Sequence, residues 1–406
     1  MASSDSSAAR GSLAACSQVF LVFLSLGCTS FGGPLAHIAW FRREFVERRA
    51  WLDAHAFADL VALCQILPGP ASSQVGLAIG LMRAGLPGAC AAWLGFTLPS
   101  ALLMLALGIW ILPLLPQASV LPVVLHGLKL AAVPVVMQAV WSMARSLCPD
   151  LPRAGLALLA AGLSAWWPGI WLQIALCAAG AAIGRTLLRQ PGALPHTPFT
   201  AGLSPRTGRL LLLACLLLLG ALPLAARLGS SPALVLVDAF YRAGALVFGG
   251  GHVVLPVLQA EVVTRGWVTP AQFLAGYGAA QALPGPLFTF AAYLGAIASQ
   301  PPGGWLGGAL ALVAIFLPGA LLVAGCLPLW ERVRYHQGAR RALLGVNAVV
   351  VGLLLGVLAG FVLPGAIHGV ADAALALAGW ALLTRYRLPA WALVLLTISC
   401  SIALGR

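Results

Sequence analysis

The sequence predicts an all-α polytopic membrane protein: an inverted tandem repeat with broken, re-entrant helices. Three observations carry this. First, 61% of the 406 residues are hydrophobic and only 8% charged, with a mean hydropathy of +0.98. A soluble domain carries about 25% charged residues, and no soluble fold of this size can hide so much apolar surface. Second, one pattern occurs twice. Phe31-Gly32-Gly33-Pro34, then Trp51, Phe57 and Gln65-Ile66-Leu67-Pro68-Gly69-Pro70, returns as Phe248-Gly249-Gly250-Gly251, then Trp267, Phe273 and Gln281-Ala282-Leu283-Pro284-Gly285-Pro286. Glu44 falls on Glu261 and Arg48 on Arg265, with a single indel across the window. Third, the basic loops of the two copies lie at opposite ends, as upside-down copies require under the positive-inside rule.

The elements follow in order. Residues 1–11 are a Ser-rich polar tail. Residues 13–30 are apolar and helical until Phe31 to Pro34 interrupt them, since glycines weaken a helix and Pro34 has no N–H to donate. Residues 35–41 resume the apolar pattern, and Arg42 to Arg49 form a charged, surface-seeking segment. A second apolar arm at 55–67 breaks at Pro68-Gly69-Pro70 and continues over 71–82 to Arg83. Residues 88–112 and 120–144 read as full spans, each near the ~20 residues a crossing needs. Residues 154–187 read as two short spans split at Trp167-Pro168, and 188–208 as a proline-bearing linker between halves 1–187 and 209–406. Span 209–227 has no counterpart before the first motif. The second copy then runs 232–247, break, 252–260, and 271–283, break, 287–298. Full spans are expected at 305–329, 341–362, 366–384 and 388–405. The run before the first motif has only Arg10 ahead of it, so it is expected to be retained rather than cleaved.

Charge placement sets the topology. Arg42 to Arg49 follow the first motif and the loop at 113–125 is uncharged, whereas the second copy carries Arg332, Arg334, Arg340 and Arg341 in its later loop. The extra span at 209–227 supplies the odd crossing that inversion needs. With both motif segments of the first copy drawn as hairpins entering from the cytoplasm, every basic cluster is cytoplasmic. The competing drawing makes each broken segment one kinked span. The net charge of +13 is explained by the same rule. It does not imply nucleic acid, because no soluble basic stretch is interleaved with aromatics. The nine cysteines include no CxxC pair and read as small buried hydrophobes, so neither metal nor cofactor is expected.

Irregular backbone at membrane depth survives only inside protein or along a wet cavity, and matched breaks in two inverted halves point to a transporter binding site. Each new half-helix starts with free N–H groups worth about +0.5 charge. Four such starts would bring roughly +2, a match for a dianion. Pro70 and Pro286 suit a first helical position, and Ser72, Ser73 and Thr289 are candidate hydroxyl donors. Carbonyl ends aimed at the same tips leave a cation or proton open as the alternative. His37 and His252 follow the two Gly-rich breaks, as anion donors or proton carriers, or as hydrogen-bonded helix histidines. Gln65 and Gln281 precede the Pro-Gly-Pro tips, to bind substrate or tie the tip down. Lys129, the lone lysine, and Arg242 are candidate fixed positive charges; Asp238, four residues before Arg242, offers an internal salt bridge as the alternative. Glu44 and Glu261 read as interfacial ion pairs with nearby arginines. No nucleophile–base constellation is present, so an enzyme is not expected.

On FGGPLAHIAWFRREFV, Trp51, Phe57 and QILPGP of the first half, with FGGGH and QALPGP of the second, the chain resembles the chromate ion transporter family, long-chain bacterial two-domain type. Gly251 departs from the proline of the first-half motif. The resemblance implies a multi-pass protein of the bacterial inner membrane. It would export chromate, a tetrahedral dianion, confer chromate resistance and draw on the membrane potential or proton gradient. The partners expected are chromate or a sulfate-like anion and the lipid bilayer, with room for a homodimer. The site residues expected are Gly32, Gly33, Pro34, His37, Gln65, Pro68, Gly69, Pro70, Ser72, Ser73, Lys129, Arg242, Gly249, Gly250, Gly251, His252, Gln281, Pro284, Gly285, Pro286 and Thr289. A sulfate-like uptake carrier or channel is the alternative.

Overall fold

The computed structural model describes residues 13–111, 121–167, 169–188, 203–229, 231–248, 251–330 and 337–404. Among them there are helices and no strands. Five helices are long and apolar enough to cross a membrane, so the chain is an all-α polytopic membrane protein. The first half comprises α1 (Leu13–Thr29), α2 (Gly33–Arg42, continuing as a π-helical turn Arg43–Arg48), α3 (Ala54–Ile66), α4 (Ala71–Ala106), α5 (Leu121–Leu147), α6 (Leu151–Trp166) and α7 (Ile170–Leu187). Then comes α8 (Pro205–Leu228), which begins inside the stretch expected as linker; most of that stretch lies outside the described residues. The second half comprises α9 (Pro232–Ala245), α10 (Val254–Leu258, with a π turn Gln259–Val263), α11 (Pro270–Ala282), α12 (Phe290–Ile297), α13 (Gly304–Cys326), α14 (Gln337–Val357), α15 (Leu363–Ala366), α16 (Val370–Arg385) and α17 (Ala390–Leu404).

The Gly/Pro breaks are true reversals. Phe23 of α1 stacks on Phe45 at 5.1 Å and meets Phe41 edge-on at 5.6 Å. Those partners lie 18 and 22 positions along the sequence, so a straight helix at 1.5 Å per residue would hold each of them about 30 Å away. The α3 hairpin closes at its base where the Arg83 guanidinium stacks 5.0 Å from Trp51. Its second-half counterpart closes where Ser299 N–H donates to the Trp267 carbonyl at 2.9 Å. The long apolar run of α4 is itself two helices. Ala84 and Gly85 leave helical geometry, Gly85 with φ +67°. A side chain on Gly80 would run into Gly88 and Ala92, so the chain doubles back there. The described segments thus follow the hairpin drawing, not the kinked-span one.

Two differences from expectation concern length. α16 and α17 have 16 and 15 residues, about 24 and 22 Å, short of the roughly 30 Å apolar core that a full span crosses. They match the short pair α6 and α7, and the two pairs are exchanged. α5 packs on α16 and α17, while α14 packs on α6 and α7. Small residues allow this: Gly127 sits against Ile398, Gly345 against Gly180, and Gly352 against Ala157. α8 packs on α9 and α13 along one side and leaves Leu210, Leu213, Leu216, Leu217 and Leu224 exposed, a face made for lipid. One apolar core surrounds Phe23, Phe41, Phe45, Phe57 and Phe96; a larger one surrounds Phe240, Tyr241, Phe273, Tyr277, Phe288 and Tyr293.

Candidate functional site

The four corners meet, and they meet reciprocally. Gly69 N–H at the first Pro-Gly-Pro tip donates to the carbonyl of Val247, just before the second Gly-rich break, at 2.6 Å. Gly285 N–H at the second tip donates to the carbonyl of Ser30, just before the first Gly-rich break, at 2.9 Å. Each tip also rests on a long helix of the other half. Gly69 lies against Gly319 of α13, and Gly285 against Ser100 and the Phe96 carbonyl of α4. Both tip glycines are left-handed, with φ +123° and +94°, the region where a Cβ is costly. Gln74 clamps the first tip: its Nε2 donates to the Pro68 carbonyl at 2.8 Å and to Gly319 at 3.3 Å.

These ties narrow the set of amides that could face a guest. The Gly69 and Gly285 amides are consumed by the fold, and Pro34, Pro70 and Pro286 carry no N–H. The amides left for a guest are those of the helix starts just beyond. α2 and α4 begin without a side-chain cap, whereas α3, α6, α8 and α11 are capped by Asp53, Asp150, Ser204 and Thr269. Uncapped first-turn N–H groups remain available donors. Gly32 and Gly33 are both left-handed, at φ +103° and +75°. Gly249 and Gly250 lie outside the described residues, and Gly251 opens a 3-10 turn.

The polar side chains divide into braces and free groups. His37 is buried, with Nε2 at 3.2 Å from the Ser30 carbonyl and Nδ1 at 3.3 Å from Ser72 Oγ. A carbonyl only accepts, so Nε2–H donates and the Ser72 hydroxyl donates to Nδ1. His37 and Ser72 therefore brace α2 to α4. Thr289 is likewise occupied, donating to the Pro286 carbonyl at 2.9 Å. Ser73 Oγ is buried without a partner among the described residues. His252 is different. Its Nδ1 is held by Tyr277 Oη at 2.9 Å, and its Nε2 comes within 4.0 Å of where a Gly33 side chain would begin. A second-half histidine thus faces the first-half break with one ring nitrogen uncommitted among the described residues. Gln281 is one turn beyond Tyr277, with its amide nitrogen buried and no partner in good hydrogen-bond geometry among the described residues. Gln65, its counterpart, is exposed.

The fixed-charge expectation is corrected for Arg242. Its guanidinium pairs with Asp238 at 2.8 Å and with Glu261 at 3.2 Å, and Arg265 holds Glu261 at 2.8 Å. Two carboxylates balance two guanidiniums, so no net charge is offered. Glu261 is fully buried, and it makes the expected ion pair with Arg265. Glu44, its counterpart, pairs with Arg48 and Arg49 near the surface. Lys129 lies on α5 next to Leu128, which packs against Gly278 of α11. It has no ion partner among the described residues, and it is not among the groups that bind the corners together. Sequence reasoning missed Tyr277, Gln74, Ser30, Ser100 and Gly319. Tyr277 and Gln74 sit inside apolar helices, and the other three act through the opposite half.

Fold and site together define a polytopic helical membrane protein whose broken helices interlock at one polar junction. Comparison with known proteins narrows the class: the chain belongs to the family described as chromate transporter, which it matches over residues 17–185 and again over 234–404. A chromate transport protein of Pseudomonas aeruginosa is 32% identical over 351 residues, covering 83% of this chain and 79% of the relative. A chromate transport protein of Cupriavidus metallidurans is 27% identical over 361 residues, 84% of this chain and 80% of the relative. An uncharacterized transporter of Bacillus subtilis is 37% identical over 119 residues, 29% of this chain and 65% of the relative. No solved structure matches the chain.

Proposed function

We propose that this chain carries chromate out of the cytoplasm across the bacterial inner membrane, driven by the membrane potential or the proton gradient, and so confers chromate resistance. The dianion passes through the junction where the four corners meet. The halves 1–187 and 209–406 act as inverted repeats, rocking about that junction as inverted-repeat carriers do.

One observation carries the reading: each Pro-Gly-Pro tip is bonded to the Gly-rich break of the other half. A pair of reciprocal ties holds the breaks that precede the uncapped starts of α2 and α4, and His252 Nε2 comes within 4.0 Å of where a Gly33 side chain would begin. N–H groups at helix starts favour negative charge, and a neutral or protonated imidazole nitrogen donates to an oxyanion. Further support comes from the family and from relatives named for chromate transport.

The test is direction and substrate together. Inside-out membrane vesicles containing the protein take up radiolabelled chromate when energised, and right-side-out vesicles do not. Uptake confined to right-side-out vesicles, or flux of sulfate with none of chromate, defeats the proposal.

A further inference from the structure

We infer that the first half carries a second oxyanion site, in the groove along the α1–α2 hairpin, for a tetrahedral group bearing two negative charges. The groove encloses about 420 Å³ and runs from Arg48 and Arg49 at the base of the hairpin, past Glu44, Arg43 and Ser25, to Thr29 beside the break. Three guanidiniums against one carboxylate leave a net charge of +2. Arg48 and Arg49 both pair with Glu44. Arg43 lies over the Trp40 ring at 5.9 Å and has no carboxylate partner among the described residues. A guanidinium fork matches the oxygen spacing of a tetrahedral oxyanion and binds it in bidentate fashion. Ser25 and Thr29 add hydroxyls on the α1 wall.

The second half shows the same place filled. In register with the repeat, Asp238 stands where Leu21 is, Arg242 where Ser25 is, and Glu261 and Arg265 where Glu44 and Arg48 are. Ala260 and Gly266 replace Arg43 and Arg49. Arg242 reaches across the corresponding gap to Glu261, and the network is buried with balanced charge. One copy therefore has an internal cation spanning the gap, closed by its own carboxylates. The other copy lacks that side chain, has moved its spare arginines to the rim, and is open.

The groove is separate from the junction of the four corners, and the proposal does not rest on how that junction is read. Two sources supply the ligand chemistry: a free dianion such as sulfate, or the phosphomonoester headgroup of a lipid. The full chain in phosphatidylcholine nanodiscs at low ionic strength is titrated with sulfate by calorimetry. Matching discs that contain phosphatidic acid test the lipid source by native mass spectrometry of retained lipid. Wild type is expected to bind in at least one arm. Arg43→Gln, an exposed substitution that leaves the Glu44 pairs intact, should weaken that binding at least tenfold. Leu21→Asp combined with Ser25→Arg, which transplants the second-half network, should abolish it. Binding in the first arm assigns the site to a free oxyanion, and binding only in the second assigns it to lipid. Absence of Arg43-dependent binding in both arms overturns the proposal, as does full binding by the transplant with an unchanged melting temperature. Chromate flux by the same variants in proteoliposomes separates the two readings: intact flux with no groove binding removes this site and leaves the junction standing.

Discussion

Replacing Arg242 with glutamine separates a structural network from a substrate charge. The guanidinium is 9% exposed and holds two carboxylates, Asp238 at 7% and Glu261 at 0%. Without it, Glu261 keeps Arg265 at 2.8 Å, but Asp238 loses its charge partner in an apolar setting. Removing one member of a buried pair costs about 3–5 kcal/mol. At roughly 2 °C per kcal/mol for a chain larger than 250 residues, the melting temperature in detergent should fall by about 6–10 °C. The first half supplies the repair: Asp238→Leu with Arg242→Ser installs the residues found at the matching positions, Leu21 and Ser25. Both charges leave together, and replacing a buried pair by uncharged groups is often neutral. The double variant should melt within about 3 °C of wild type by the same scaling, and it should retain chromate flux. Fluorescence-detected size exclusion after a heat step reads stability, and vesicle uptake reads function. A double variant as unstable as the single one would refute the pairing argument. A stable double variant without flux would restore Arg242 as a functional charge.

Gly69→Ala and Gly285→Ala should each cut chromate flux at least tenfold. Each places a Cβ in the left-handed region, at about 1–2 kcal/mol. It also sets that Cβ 3.2 Å from Gly319 Cα in one case and 2.8 Å from Ser100 Oγ in the other, and overpacking adds about 1–3 kcal/mol. Gly220→Ala on α8, with open space around it, is the matched control; equal loss there would sink the tip argument. His252→Gln should raise the KM for chromate at least fivefold, with Tyr277→Phe intermediate because it only frees the ring that Tyr277 holds. An unchanged KM in both variants removes His252 from the substrate path. Glu44 predicts a pH effect at the base of the first hairpin. Burial raises its pKa, but hydrogen bonds and charge from Arg49 and Arg48 outweigh that and leave it below the usual 4.5. A depressed folded pKa contributes stability that is complete above pH 4.5 and is lost as pH falls below it. Acid melting should therefore steepen below pH 4.5 in wild type and be flatter there in Glu44→Gln. Identical acid profiles would contradict the pairing.

What the sequence disclosed and what it hid follow from the range of each interaction. The breaks were legible because their cause is local: Pro34, Pro70 and Pro286 lack an N–H, and Gly33, Gly69 and Gly285 take positive φ, wherever the chain goes next. The hairpin drawing followed from charge placement, because it puts every basic cluster on one side, although the short arm at 35–41 fitted it poorly. The Arg242–Asp238 pair was visible at helical spacing, but Glu261 was not, because it joins only after the chain reverses. Composition averaged over a window could not separate α16 and α17 from full spans, since it also counted Ile367 to Gly369 and Leu388 and Pro389, which lie outside the two helices. The reciprocal ties were least legible of all, being backbone bonds between residues more than 170 positions apart. The tip glycines spend their own amides on joining the halves, and the prolines beside them have none to give. On the proposed function, the helix starts one step further on and His252 face the guest, and the Leu-Pro-Gly-Pro motif is the joint that sets both in place.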